Sequence, residues 1–321
     1  MKAKVLQVLR EADEFVSGEK ISNTLSCSRT MVWKHIDALR KEGYEIVAVS
    51  NKGYKLTGEI NNVSEHAISS RLQVDSMFQR VVYETVVDST QTIANKLINE
   101  GIQSGTIVVA NEQTGGKGRL GRSWHSPENT GVWMSLILQP EIEIRHAPQL
   151  TLVMAVAVVR AITNVTNLEG KIKWPNDILL NGKKVSGILT EMQADPDRIK
   201  SVVIGIGLNV NQQEFPEELS EIATSLSIES RKLYNRTEMI VQIVKEFEWL
   251  YQVYLEKGFL FIKPLWELHS MTIGKRVNIH TMREVIVGIA KGIDEDGVLI
   301  VTDQDGVDQR IISGDIQFAN S

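Results

Sequence analysis

The chain has 321 residues, 42% hydrophobic and 23% charged, with a net charge of −5; this is the ordinary globular range for two or three domains and excludes a protein coated throughout by nucleic acid. A single cysteine, Cys27, excludes a disulfide framework and a cysteine-based metal cluster, and fits a reducing, cytoplasmic setting. The opening MKAKVLQVLREADEF is broken by charge too early for a signal peptide, and the longest apolar run, Leu150 to Val159, is far below the ~20 residues that span a bilayer.

Residues 1–60 carry ten Lys and Arg against eight Asp and Glu, so any DNA role belongs at this end. Val5, Leu6, Leu9 and Ala12 predict a first helix with one apolar face, and a second helix falls near Glu19 to Leu25. Ser26-Cys27-Ser28 makes a turn, and Ser28 is placed to cap a third helix whose buried stripe is Val32, Ile36 and Leu39. Gly43 ends that helix; YEIVAVS, Asn51-Lys52-Gly53 and YKL follow as a small β-hairpin. This order is that of a winged helix-turn-helix. Ser28, Arg29, Thr30, Trp33 and Lys34 are then the candidate DNA-binding residues on the recognition helix, with Lys52 and Lys55 on the hairpin available to backbone phosphates. The polar segment TGEINNVSEH, Thr57 to His66, is the expected linker.

A central domain over residues 65–270 alternates strands and helices. RVVYETVV is a strand, Asp88-Ser89-Thr90-Gln91 opens a helix closed by Gly101, and GTIVVANE, GVWMSLIL and KIKW are further strands. Leu150 to Val165 reads as a largely buried helix, and Asn181-Gly182 between apolar runs marks a hairpin. Gly205 and Gly207 thin the strand IKSVVIGIGLNVN for a close neighbour. A long helix from Glu238 to Leu255 follows. Residues 271–321 switch to short strands broken by Asp296-Gly297 and Asp305-Gly306, which suggests a small, SH3-like β-barrel. The whole is an α+β multidomain chain: winged helix-turn-helix, mixed α/β centre, C-terminal barrel.

The most informative stretch is GGKGRLGRSW, Gly115 to Trp124, with four glycines and the cations Lys117, Arg119 and Arg122. Gly116, Gly118 and Gly121 match G-x-G-x-x-G, but the polar RSWHSPENT that follows is no helix, so the dinucleotide-binding turn is rejected. A cationic, glycine-rich flap over a phosphate-bearing ligand is expected instead. Two more polar clusters flank it: Ser89, Thr90 and Gln91 at a helix N-terminus, and KWPNDILLNGKKVSG, in which Asn176 and Asp177 end a strand and Lys184 follows the turn. The six histidines are not spaced as a metal site, no P-loop occurs, and no nucleophile–base pair stands out. Alignment of reactants and charge stabilisation by fixed cations fit better than covalent catalysis.

GKGRLGRSW followed about fifty residues later by KWPNDIL and GKKVSGIL resembles the biotin protein ligases. The N-terminal helices make the resemblance that of the bifunctional bacterial kind, which is also the biotin-operon repressor. It implies Mg-ATP-dependent adenylation of biotin, transfer of biotinyl to a lysine of an acceptor carboxylase domain, and repression at operator DNA by an adenylate-bound homodimer. By motif, Ser89, Thr90, Gln91 and Gln113 would bind biotin; Lys117, Gly118, Arg119 and Arg122 would close over biotin and the adenylate phosphate. Lys184, with Arg119, would stabilise charge at the α-phosphate. Asp177 would serve the acceptor or metal side, Trp124 would shield adenine, and Gly187 would let the ligand lie against its strand. One departure stands out: the family pattern is usually GRGRxGRxW, and Lys117 replaces its first arginine. A ligand-sensing regulator without ATP turnover and a lipoate ligase are the alternatives; Lys184 and the flap argue against the first, the N-terminal helices and KWPND against the second.

Overall fold

A computed structural model describes residues 1–12, 14–41, 43–58, 63–281 and 283–318. The first three helices, α1 (Lys2–Arg10), α2 (Gly18–Thr24) and α3 (Arg29–Lys41), bury the expected stripes, and Val5, Leu6, Leu9, Ile21, Val32, Ile36 and Leu39 form a small core of their own. Ser17 accepts a hydrogen bond from the Lys20 N–H (3.1 Å) and Ser28 from the Met31 N–H (3.2 Å), so both helices start on capped N–H groups. The antiparallel hairpin β1 (Glu45–Val49) and β2 (Gly53–Gly58) follows, tied to the chain before α2 by a Val16–Tyr54 bridge.

Residues 59–62 of the expected linker lie outside the described residues. Its last part is a short helix, α4 (Glu65–Ser69), capped by Ser64. Ala67 packs in the N-terminal core while its neighbour Ile68 packs in the central one. Arg10 Nη1 donates to Ser70 Oγ across the same junction (2.8 Å).

The central strands β3 (Arg80–Val87), β4 (Thr106–Gln113), β5 (Gly131–Leu138), β6 (Lys171–Lys173), β7 (Asp177–Leu180), β8 (Lys183–Ala194) and β9 (Ile199–Asn209) form one sheet in the order β3-β4-β5-β9-β8-β7-β6. Only β3 and β4 run parallel, which requires a crossover, and α5 (Thr90–Asn99) supplies it. On one face, Val132, Met134 and Leu136 pack with α6 (Gln149–Thr166) and α8 (Arg236–Lys257) in the main core. On the other, Ala94 of α5 meets Val108, Ile137 and Val203. The remaining helices, α7 (Leu226–Ser230) and α9 (Lys263–His269), are short and were not anticipated.

Helix α6 corrects one expectation. The stretch Ile144–Thr166, 23 residues, is long and apolar enough to cross a membrane by length and composition, but 67% of its 18-residue apolar window is buried inside the protein. Packing on both sides explains that composition: Arg160 pairs with Glu246 of α8 at 2.6 Å, and Val153, Ala157 and Ile162 lie in the main core.

The C-terminal strands β10 (Arg276–His280), β11 (Val285–Ile293), β12 (Leu299–Asp303), β13 (Asp308–Ile311) and β14 (Asp315–Phe318) form a five-stranded antiparallel sheet in the order β13-β12-β11-β10-β14. Its Val277, Ile279, Leu299 and Val301 join the same core as Trp266 and Phe247. This unit is therefore not a separate bead: it shares its apolar interior with the central domain.

Candidate functional site

Five strands and one loop meet over the middle of the large sheet. β3 delivers Asp88 and Ser89; Ser89 caps α5 by accepting from the Gln91 N–H. β4 ends in Gln113, and the chain then forms the flap, Gly115 to Trp124. β7 and β8 bring Asp177, Lys184 and Gly187, and β9 brings Gly205 and Gly207. Together they enclose a cavity of about 490 Å³. Every residue expected to bind the ligand lines it: Ser89, Thr90, Gln91, Gln113, Lys117, Gly118, Arg119, Arg122, Trp124, Asp177, Lys184 and Gly187.

The flap holds its shape by its own backbone. Gly118 N–H donates to Arg122 O (2.7 Å), Trp124 N–H to Gly116 O (2.8 Å), and Lys117 and Ser123 form a bridge. After a single turn of 3₁₀ helix at Arg119–Gly121 no α-helix follows, in agreement with the rejection of the dinucleotide turn. Its cations are tethered: Lys117 Nζ to Thr92 Oγ1 (3.1 Å), Arg119 Nη1 to Asn176 Oδ1 (2.9 Å) and Nη2 to Ser313 Oγ (3.0 Å), and Arg122 to Asp315.

The cavity has two unlike ends. One is neutral and hydrogen-bonding. The Thr90 N–H donates to Gln113 Oε1 (2.9 Å), Gln113 Nε2 donates to Ser126 Oγ (2.9 Å), and buried Ser135 Oγ lies 2.8 Å from Thr90 Oγ1 and 2.9 Å from Gln91 Oε1. The other end gathers Arg119, Arg122, Lys173 and Lys184 against Asp177 and Asp315. Burial lowers the pKa of Arg119, with Asp315 and Asp177 opposing the shift, and burial likewise lowers that of Lys173. Lys184 Nζ sits 2.7 Å from Asp177 Oδ1, yet that oxygen lacks an aligned hydrogen-bond donor; the contact is an ion pair by proximity. Partly desolvated cations of this kind favour an anion strongly.

Trp124 borders the cationic end. Its indole lies on β8 and β9 where only glycine fits: a Cβ at Gly207 would collide with it, and one at Gly187 would come within 3.1 Å. Lys184 Nζ stacks 5.2 Å from the ring centroid. Lys184 is also held by its backbone, donating to Ile222 O (2.8 Å) and accepting from the Thr224 N–H (2.9 Å).

None of the expected DNA-binding residues lines this cavity; Ser28, Arg29, Thr30, Trp33 and Lys34, at the start of α3, are all exposed, Trp33 by 55%. Sequence reasoning left Ser135, Lys173, Glu191, Ser313 and Asp315 unassigned. Ser135 sits inside the apolar run GVWMSLIL, and a polar residue buried in such a run is the one signal that could have marked it.

Residues 83–209 match the biotin/lipoate A/B protein ligase family, residues 2–55 an HTH domain, and residues 272–319 the biotin protein ligase C-terminal domain. The chain belongs to the biotin protein ligase family, and within it to the members that carry an N-terminal helix-turn-helix domain. The bifunctional ligase/repressor BirA of Bacillus subtilis is 50% identical over 308 residues, covering 95% of this chain and 94% of that one. BirA of Escherichia coli is 28% identical over 96% and 94% of the two chains. The solved biotin protein ligase from Aquifex aeolicus in complex with biotin and ATP superposes with a TM-score of 0.67 at 32% identity, over 76% of this chain and all (100%) of that one.

Proposed function

We propose that this protein joins biotin to ATP as biotinyl-5′-AMP and passes the biotinyl group to a lysine of an acceptor carboxylase domain. The observation that carries this reading is the polarity of this cavity: a neutral hydrogen-bonding end and a cationic end, with Trp124 against the lysine of the cationic one. Biotin has the matching form, a ureido head and a carboxylate tail. Ser89, Thr90, Gln91 and Gln113 hold the head. The tail carboxylate lies toward Lys184, where its oxygen attacks the α-phosphorus; an O–P bond forms and pyrophosphate leaves. Lys184 and Arg119 face the charge that builds on the phosphoryl oxygens, and Lys117, Gly118 and Arg122 close the flap over it. Trp124 covers the adenine side, and Gly187 and Gly207 leave room for its indole against the strands. In the second step the acceptor amine attacks the acyl carbon, a C–N bond forms and AMP leaves.

Magnesium comes with the nucleotide. Among the described residues no three His, Cys, Asp or Glu side chains gather as a metal site, and Mg²⁺ ordinarily needs only one or two carboxylates beside phosphates. Asp177, whose buried Oδ1 lacks an aligned donor, suits that part.

The N-terminal unit is a winged helix-turn-helix, with β1–β2 as the wing, and the C-terminal sheet is an SH3-like barrel. As an adenylate-bound homodimer in the cytoplasm, the protein represses transcription by setting Arg29, Thr30, Trp33 and Lys34 against each half of a biotin operator. Incubation with radiolabelled biotin, ATP and an acceptor domain tests the enzyme. Lys184→Ala is expected to cut adenylate formation roughly 10²–10³-fold with an unchanged melting temperature; near-normal turnover would remove Lys184 from its role.

A further inference from the structure

Two residues outside the cavity wall control the groups that form its neutral end. Glu191, on β8, accepts from Gln91 Nε2 (3.1 Å) and from Asn95 Nδ2 (3.3 Å). Ser135, on β5 and fully buried, touches Gln91 Oε1 and Thr90 Oγ1. Neither contributes to the cavity lining.

The chemistry of these groups leaves little freedom. An ionised carboxylate only accepts hydrogen bonds, so Gln91 turns its NH₂ toward Glu191 and its Oε1 toward Ser135. An amide oxygen also only accepts, so the single Ser135 proton goes to Gln91. Thr90 Oγ1 must then use its own proton, on Ser135 Oγ or on Gln113 Oε1 at 3.2 Å. Gln113 is fixed independently: its Oε1 takes the Thr90 N–H, which leaves its Nε2 for Ser126, and the Ser126 hydroxyl donates to the Trp124 carbonyl at 3.0 Å. Glu191, on the α5 side of the sheet, thus sets the Gln91 amide and, through Ser135, the proton of Thr90 Oγ1, while the Gln113–Ser126–Trp124 links take their direction from the Thr90 N–H.

We propose that Glu191 is a positioning residue for biotin recognition, acting through Gln91 and Ser135 to fix which atoms of the neutral end donate and which accept. The inference rests on the assignment of that end to the ureido head. A ureido group offers two N–H donors and one carbonyl acceptor in a rigid frame, so it gains only from a site whose own donors and acceptors are already sorted. Without the charge, the Gln91 NH₂ keeps only its longer contact to Leu189 O (3.4 Å), and the reversed amide, which opposes the ligand, competes.

The test uses the full-length protein and two conservative variants, Glu191→Gln and Ser135→Ala. Each should raise the KM for biotin about tenfold, the factor one hydrogen bond is worth, while the KM for ATP and kcat at saturating biotin stay put. The double variant should be no worse than the weaker-binding single, because both act through the orientation of Gln91. Unchanged biotin KM values beside an active wild type overturn the inference and leave the ligase reading standing. Parallel rises in both KM values with a lower melting temperature, or additive effects in the double variant, overturn it as well. Calorimetry showing that the wild type does not bind biotin removes the ligase reading itself.

Discussion

Lys117 presents one compact charge where the resembling proteins usually place an arginine. Its Nζ rests on Thr92 Oγ1 at 3.1 Å, an exposed contact. An ammonium cannot grip a phosphate through two parallel hydrogen bonds as a guanidinium does. Lys117→Arg should therefore retain the adenylate better: its release into solution, followed by chasing pre-formed labelled adenylate with unlabelled, should slow several-fold, and an unchanged rate would contradict the argument. At this scale the site was largely legible. Glycines beside cations announce an anion, and Gly205 and Gly207 announce a close neighbour, which the structure supplies as Gln91 and Trp124. Ser135 and Glu191 were not legible, because their meaning comes from α5 laying Gln91 between them, a contact across 44 and 100 residues of chain.

The β7–β8 hairpin shows what an element adds to its residues. Asn181 and Gly182 take φ of 48° and 85°, the paired positive angles of a tight hairpin turn, as the Asn-Gly dipeptide announced. The hairpin is then fastened to α7 and to the segment before it. Glu229 accepts from Asn181 Nδ2 and from Thr224 Oγ1, each at 2.5 Å, and Lys183 Nζ donates to Ser220 O at 2.9 Å. Since Ile222 and Thr224 clasp the Lys184 backbone, this fastening also sets where the Lys184 charge sits. Glu229→Ala should lower the melting temperature by about 2–4 °C, as a loss near 1 kcal/mol does in a chain of this size. It should slow adenylate formation in a single turnover while calorimetric biotin affinity holds. A variant slowed in neither respect would show the tie to be idle. Sequence periodicity found every long element here and missed α4, α7, α9 and β14, which have four to seven residues each. Elements that short owe their form to tertiary contacts more than to any pattern of their own.

On the scale of the whole molecule, the two ends of the chain are attached in different ways. The N-terminal unit keeps its own core and meets the centre through α4 and the Arg10–Ser70 hydrogen bond. The C-terminal sheet shares the central core and reaches into the cavity, with Ser313 and Asp315 holding Arg119 and Arg122 of the flap. Composition set residues 1–60 apart by charge and short strands set residues 271–321 apart, but neither could announce that the C-terminal sheet grips the flap, because a pairing across 193 residues leaves no local trace. If ligand binding favours the dimer, operator affinity must follow it. At fixed ionic strength, affinity for a palindromic operator should rise when biotin and ATP are added together, and a titration indifferent to them would remove the repressor role.

Helix α6 has a consequence for how the protein is made. Its main partner, α8, begins about seventy residues further along the chain. At ordinary rates of translation the ribosome takes several seconds to cover that distance. Throughout that interval the nascent polypeptide holds a rod greasy enough to suit a lipid bilayer, with strands under it already made but the helix that sheathes it from above still to come.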